Sequence, residues 1–434
     1  MKNSNRKLTA LTLASVLLLS GCQTTTKRDD DRHSNHNNAD IEFNTTINYD
    51  ELERCSYDAT DFNSDYSDYS FRLMAQVLDS EARDTNVMIS PASIMFALDL
   101  AAAGANGDTL TQITNLFAEG ADPMEQQAFA ANMMVGINSS QGVAFNSANA
   151  VWTNESRIAR LNPDYQDYIE EYFDAEAYSL PFNDDTVDVI NSWIEENTNG
   201  MIDRVLDNLE PDAAAVLVNA IAFEGAWNNL YDDSQVYPMT FTTAHSEKIE
   251  VGMLCDVLGT YYETDEATGF IRYYEGGRYA FLVMLPADES LSANEFLSDF
   301  TSDDYNDFIS SETNEYFVYT RLPEFESDYE ITLNGVLEDL GVTDAFDENS
   351  ADFTGIGAVN SDADLYIDSV IQKTHIELDR NGTSAAAATV DIMTLRGCGT
   401  IGGETREVYC DRPFAYAIVD TETMNPIFFG TYNG

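Results

Sequence analysis

The residues able to do chemistry in this chain are few and poorly grouped for catalysis. Gly397-Cys-Gly399-Thr-Ile-Gly402 matches GxGxxG by letter. That phosphate-binding turn needs a strand before it and a helix N-terminus behind it. Here an alanine run precedes it and GETREVYC comes after it, so a nucleotide site is not expected. No GxSxG, HExxH or GxxxxGK[ST] occurs. The five cysteines, Cys22, Cys55, Cys255, Cys398 and Cys410, show no CxxC spacing, and two of the four histidines (His33 and His36) fall in a polar N-terminal stretch. No metal site and no cofactor are expected. Asp61, Asn63 and Asp65 alternate as in a calcium loop but lack the glycine and distal glutamate of an EF-hand. They read as solvated linker. Paired carboxylates could serve a glycosidase, but among 76 acidic residues such pairs carry no information.

One stretch stands apart, NGTSAAAATVDIMTLRGCG at 381–399. Alanine is the best helix former, yet Gly382 and Thr383 precede the run, and Thr389, Val390 and Ile392 after it favour strand. A segment at ease as loop, helix or strand is a candidate for one that changes state. It ends in Arg396–Gly397, a basic residue before a small one.

The elements that must position it begin after a leader. Lys2, Arg6 and Lys7 precede the apolar run 8–19, which is too short to span a bilayer and reads as a signal peptide. Leu19-Ser-Gly-Cys22 resembles a bacterial lipobox, implying cleavage before Cys22 and lipidation of its thiol. An ordinary signal peptide containing a cysteine is the alternative. Residues 1–21 are therefore read as signal peptide and 22–65 as a flexible acidic and polar tether. Gln23 after the lipid cysteine suggests an outer membrane if the cell has two. Exported compartments permit disulfides; Cys398 and Cys410 are the candidate pair, with free thiols the alternative.

Residues 66–434 show no repeat and no linker, so one domain is expected. Ser90-Pro91 can cap and open a helix, followed by Ile94, Ala97, Leu98, Ala101 and Ala102 at helical spacing. Thr109-Leu-Thr-Gln112 has the form of a capping box. VLVNAIAF (216–223), YAFLVMLP (279–286), FAYAIVD (414–420) and PIFFGTY (426–432) read as strands. Helices dominate the first half and strands the second, which makes the class α+β.

Against 76 acidic residues stand 21 basic ones, a net charge of −55. Nucleic acid is excluded for want of a basic patch. The acids are dispersed along the chain, as in a protein built for high salt, where counterions screen self-repulsion.

Several segments, in order, resemble the serpin family. NVMISPASIMFALDLAAAGANGDTLTQI (86–113) is similar to the helix B–helix C segment of serpins. INSWIEENTNGMI (190–202) is similar to their helix F region, with Met201 where a lysine is usual, and VLVNAIAFEGAW (216–227) to the strand carrying the breach tryptophan, here Trp227. LPEFESDYEI (322–331), the hinge at 382–389, and DRPFAYAIVD…PIFFG (411–430) complete a series covering about residues 66–434. The resemblance implies a large central β-sheet, further sheets, surrounding helices and an exposed reactive loop at about 380–410. It implies a protease inhibitor, not an enzyme, that acts as a suicide substrate. A serine protease attacks the loop and forms an acyl-enzyme, and the loop inserts into the central sheet, trapping the protease covalently. The active form is then a kinetic trap.

The implied hinge is Gly382, Thr383, Ser384, Ala385, Ala386, Ala387, Ala388 and Thr389, whose small side chains enter the sheet at least steric cost. The family places the scissile bond after the fourteenth residue beyond the hinge glycine, which is Arg396, so Arg396–Gly397 is the reactive bond and a trypsin-like protease the partner. A bond one or two residues away is the alternative. Arg380 and Glu324 occupy a family ion-pair position with the charges exchanged. The shutter resembles the family at Ser90, Ser93 and Asn219, with Gln372 in place of its usual histidine. Asp391 would share a strand face with Thr383, Ala385 and Ala387, where a buried acid slows insertion. The region corresponding to helix D, near 126–142, holds no Lys or Arg, so no heparin-type cofactor is expected. A monomer, contacting membrane through its lipid alone, completes the expectation. The alternative is a non-inhibitory serpin-fold binding module at the cell surface.

Overall fold

In the computed structural model of the chain, the described residues are 43, 45–49, 60–202, 204–210, 213–360, 365–383 and 404–434. All the described residues belong to one compact unit, Glu42–Gly434. Among the described residues, six helices precede residue 200: α1 (Thr60–Ser80), α2 (Pro91–Ala103), α3 (Gly107–Phe117), α4 (Pro123–Asn138), α5 (Pro163–Phe173) and α6 (Asp184–Asn197). Three shorter ones come later: α7 (Ala293–Asp299), α8 (Ser302–Ser310) and α9 (Asn334–Asp339). Three helices open on proline behind a polar cap, Ser90, Asp122 or Asn162, whose side chain accepts a backbone N–H of the first turn. Every residue of α2 is buried, as expected of a helix apolar on all sides.

Two expectations are corrected here. Thr109 and Gln112 do not cap α3, which starts at Gly107 behind Asn106. Both side chains serve tertiary contacts instead: Thr109 Oγ1 accepts from the Asp352 amide at 3.0 Å, and Gln112 Oε1 from the Thr343 and Asp344 amides at 2.9 and 2.8 Å. The tether assigned to 22–65 is also too long. Ile47 is buried, Thr46 donates to Asn106 Oδ1 at 2.7 Å, and the Tyr49 hydroxyl donates to the Ala103 carbonyl at 2.7 Å. Asp61, Asn63 and Asp65 lie in the first turns of α1, where acids favour the positive end of the helix dipole.

The strands are β1 (Met88–Ile89), β2 (Val143–Asn154), β3 (Ile158–Leu161), β4 (Glu176–Leu180), β5 (Ala215–Ala226) and β6 (Val236–Thr242). Next come β7 (Lys248–Leu258), β8 (Tyr262–Glu263), β9 (Ala267–Tyr273), β10 (Tyr279–Pro286), β11 (Phe317–Pro323) and β12 (Phe325–Thr332). The last are β13 (Gly357–Val359), β14 (Ile367–Leu378), β15 (Gly382–Thr383), β16 (Thr405–Tyr409), β17 (Phe414–Asp420) and β18 (Pro426–Tyr432). The four strand runs read from the sequence are β10, β17, β18 and most of β5.

They form a central sheet ordered β12-β14-β15-β5-β2-β4, a second sheet β1-β18-β17-β10-β9-β8, a third β16-β11-β7-β6, and the small pair β13-β3. The class is α+β. Along β14, Gln372, Thr374, Ile376 and Leu378 are buried while Lys373, His375 and Glu377 alternate outward, the period of a sheet with one face on the core. The other end of the outer face is covered too: Trp152 of β2 and Val216 and Val218 of β5 form a separate apolar cluster with Ile190 and Ile194 of α6.

Candidate functional site: the upper seam of the central sheet

Below β15, β14 and β5 pair directly and in parallel, from Ile367↔Ala215 to His375↔Ala222. Above that register the two strands part, and β15 lies between them, antiparallel to both: Thr383 faces Leu378 on one side and Gly225 on the other, and Gly382 faces Ala226. A chain continuing from Thr383 in the same direction would be antiparallel to both neighbours all the way down. The seam is therefore a ready-made slot for one more strand.

The turn that delivers β15 is built by Asp379. Its Oδ1 accepts the amides of Asn381 at 2.7 Å and Gly382 at 3.2 Å, an aspartate folding its own backbone two residues on. Gly382 is obligatory at the slot: a Cβ there would sit 2.0 Å from the Gly225 carbonyl oxygen and 2.8 Å from Ala226 Cα. Thr383 is buried, and its hydroxyl lies 2.6 Å from that of Tyr274. Burial pushes the Tyr274 phenol pKa well up, so the pair is neutral.

Trp227 closes the top of the seam. It is buried, donates through Nε1 to the Asp379 carbonyl at 2.9 Å, and its amide donates to the Asn381 carbonyl at 2.8 Å. Its ring stacks on Tyr274 at 4.7 Å. The Arg272 guanidinium lies 5.5 Å from the Trp227 ring centroid and 3.8 Å from that of Tyr231, with Asp256 paired to it at 2.7 Å. Glu324 and Arg380 are brought together: Glu324 Oε1 is 3.7 Å from Arg380 Nε and accepts the Arg380 amide at 3.3 Å. Asp233 also pairs with Arg380.

Lower down, Ser90, Ser93 and Gln372 meet. Ser90 Oγ donates to the Ile427 carbonyl at 2.7 Å and accepts the Ser93 amide at 3.2 Å. Gln372 Oε1 accepts the Ser90 amide at 3.1 Å while its Nε2 donates to the Ser90 carbonyl at 3.2 Å, using both functions of the amide. Asn219 of β5 is in register with Gln372 of β14 and Asn149 of β2.

Ser384 to Thr389, Asp391, Arg396–Gly397 and Cys398 lie outside the described residues, as does Cys22. Cys410, just past β16, is a free, buried thiol; burial pushes its pKa upward. Residues 405–409 form a strand, so the GxGxxG letters lead into a strand and not into the helix that the turn requires. Sequence reasoning missed Tyr274, Asp379, Asp233 and Arg272, none of which belongs to a pattern. It also missed a trio of potential metal donors, Glu326, Asp328 and His375, in which Asp328 Oδ1 and His375 Nδ1 share a cross-strand hydrogen bond at 2.8 Å.

Comparison with known proteins agrees with this architecture. Residues 64–434 match the family model described as serpin (serine protease inhibitor). The chain belongs to the serpin family. An uncharacterized serpin-like protein of Methanosarcina acetivorans is 29% identical over 433 residues, 98% of this chain and 97% of that one. Iripin-8 of Ixodes ricinus is 29% identical over 364 residues, 80% of this chain and 88% of its own. The crystal structure of the thermophilic serpin tengpin in its native state superposes with a TM-score of 0.80 at 30% identity, covering 91% of this chain and all of that one. Serpins are mostly protease inhibitors rather than enzymes.

Proposed function

We propose that this chain is an exported, lipid-anchored inhibitor of trypsin-like serine proteases that works as a suicide substrate. A protease serine attacks the Arg396 carbonyl carbon, the peptide bond to Gly397 breaks, and the new N-terminus leaves with the C-terminal fragment. Before water can release the acyl-enzyme, the chain from Ser384 onward enters the slot between β14 and β5 behind Thr383, carrying the protease with it. The lipid on Cys22 tethers the inhibitor to a membrane, and a monomer suffices for the whole cycle.

The observation that carries this reading is β15. Two hinge residues already sit as an antiparallel strand between two parallel ones. Each further residue replaces direct β14–β5 pairing by two ladders, so insertion adds backbone hydrogen bonds while small side chains keep its steric cost low. The family's general role supports the same conclusion.

Loop cleavage by a protease that the inhibitor does not trap tests the insertion step. The cleaved chain is expected to unfold at a much higher temperature than the intact one, because the inserted loop removes the stored strain. Cleavage with no gain in heat stability would favour the non-inhibitory binding module.

A further inference from the structure

Side chains on the outer face of the central sheet meet in rows across β12 and β14. Glu326, Asp328 and Glu330 of β12 alternate outward, as do Lys373, His375 and Glu377 of β14. The register sets Glu330 opposite Lys373, Asp328 opposite His375 and Glu326 opposite Glu377. The first row is an ion pair, with Lys373 Nζ 3.8 Å from Glu330 Oε2. The second is the hydrogen bond between His375 Nδ1 and Asp328 Oδ1 at 2.8 Å. The third sets two carboxylates face to face, and like charges directly opposite each other destabilise a sheet. A cation held between the second and third rows would offset that repulsion.

The donors for such a cation are in place. One ligand atom each from Glu326, Asp328 and His375 lies within 4.8 Å of the other two. Donors about 2.1 Å from an ion stand at most about 4.2 Å apart, so a small rotation of the exposed carboxylates closes the set. His375 is the fixed member, its side chain 16% exposed against 65% for Asp328. Packing holds the imidazole while the carboxylates adjust. One imidazole with two carboxylates suits zinc better than calcium or magnesium, which take all-oxygen shells. His375 and Asp328 stand 47 residues apart in the chain. Only strand register joins them, so no spacing in the sequence announces the set.

We propose that Glu326, Asp328 and His375 bind one zinc ion, completed by water on the solvent side, that ties β12 to β14. β12 is the edge of the central sheet, and both strands lie on the same side of the slot that holds β15. The ion braces that edge without crossing the slot. The inference is therefore independent of the inhibitor reading.

Calorimetric titration of the untagged, metal-free protein with zinc chloride tests it, in excess magnesium chloride to occupy non-specific acidic sites. Saturable binding of one zinc per chain is expected. Glu326→Gln, Asp328→Asn and His375→Gln should each weaken it at least about tenfold. Zinc should also raise the unfolding temperature of the parent more than that of any of the three variants. His245→Gln removes an imidazole paired with Asp84 on the exposed surface and should change neither reading. Glu326 and Asp328 are exposed, so their variants carry the test even if His375→Gln fails to fold. Loss of binding in the double variant His33→Gln, His36→Gln would place the zinc on the N-terminal stretch and overturn the site. So would the absence of saturable binding, or an affinity that the three substitutions leave unchanged.

Discussion

At the scale of single residues, three sites give sharp expectations. Asp99 is fully buried in α2; its Oδ1 accepts from Gln127 Nε2 at 3.0 Å, and its Oδ2 has no partner among the described residues. Burial holds its pKa well above the usual carboxylate value. The folded state therefore binds a proton that the unfolded state has released, so stability falls as pH rises above about 4. Asp99→Asn should be indistinguishable from the parent near pH 4 and more stable at pH 8 by about 1–3 kcal/mol, read from urea unfolding at both pH values; a margin that does not grow with pH would contradict this. The Thr383–Tyr274 contact holds the first hinge residues in the slot. Tyr274→Phe should loosen it by about 1 kcal/mol, seen as faster amide exchange at Gly382 and Thr383. The Glu324–Arg380 pair is worth less than its position suggests, since the two side chains are 27% and 38% exposed. Its removal should cost under about 1 kcal/mol. Exchanging the two charges should restore only part of any loss, because Asp233 would then face a second acid; full restoration would contradict the role given to Asp233.

At the scale of elements, the sequence is legible wherever a local pattern decides the outcome. β10, β17 and β18 are continuous apolar runs bounded by Gly276-Gly277, by Arg412-Pro413 and by the turn 421–425, so their limits could be read to the residue. α2 announced itself through Ser90-Pro91. Where a side chain is used across the molecule, the local signal misled: Thr109 and Gln112 look like a cap and instead bind the segment 343–352. Asp61, Asn63 and Asp65 look like linker because α1 begins on acids. The hinge glycine, Trp227, Glu324, Arg380 and Gln372 were found through their family resemblance. Tyr274 and Asp379 were not, because their roles exist only once β15 lies between its neighbours. The slot also places a demand on the residues beyond Thr383. Side chains alternate along an inserted strand, so Asp391 would face inward with Thr383, at a cost of burial. Asp391→Ala should raise the fraction of protease trapped over the fraction that escapes by hydrolysis, measured by gel densitometry at fixed ratios; an unchanged fraction would show that the acid stays wet.

At the scale of the whole molecule, charge and strain set the conditions of function. A net charge of −55 makes the fold self-repelling at low ionic strength, where the screening length is about 10 Å, and far less so at 1 M salt, where it is about 3 Å. The unfolding temperature should therefore rise by several degrees between 0.1 and 2 M KCl, and a flat profile would contradict the high-salt reading of the composition. The central sheet, by contrast, is poised: its seam is closed from Ile367 to His375 and wedged open above. On the proposed mechanism, trapping requires the rest of the hinge to enter that seam faster than the acyl-enzyme is hydrolysed. The most direct measurement is to mix residues 23–434 of the chain with trypsin in high salt, resolve the mixture on a denaturing gel, and sequence the released peptide. A stable covalent band, with a peptide beginning at Gly397, is the expected result. Complete cleavage at Arg396 with no covalent band from trypsin or any other trypsin-like protease would contradict it.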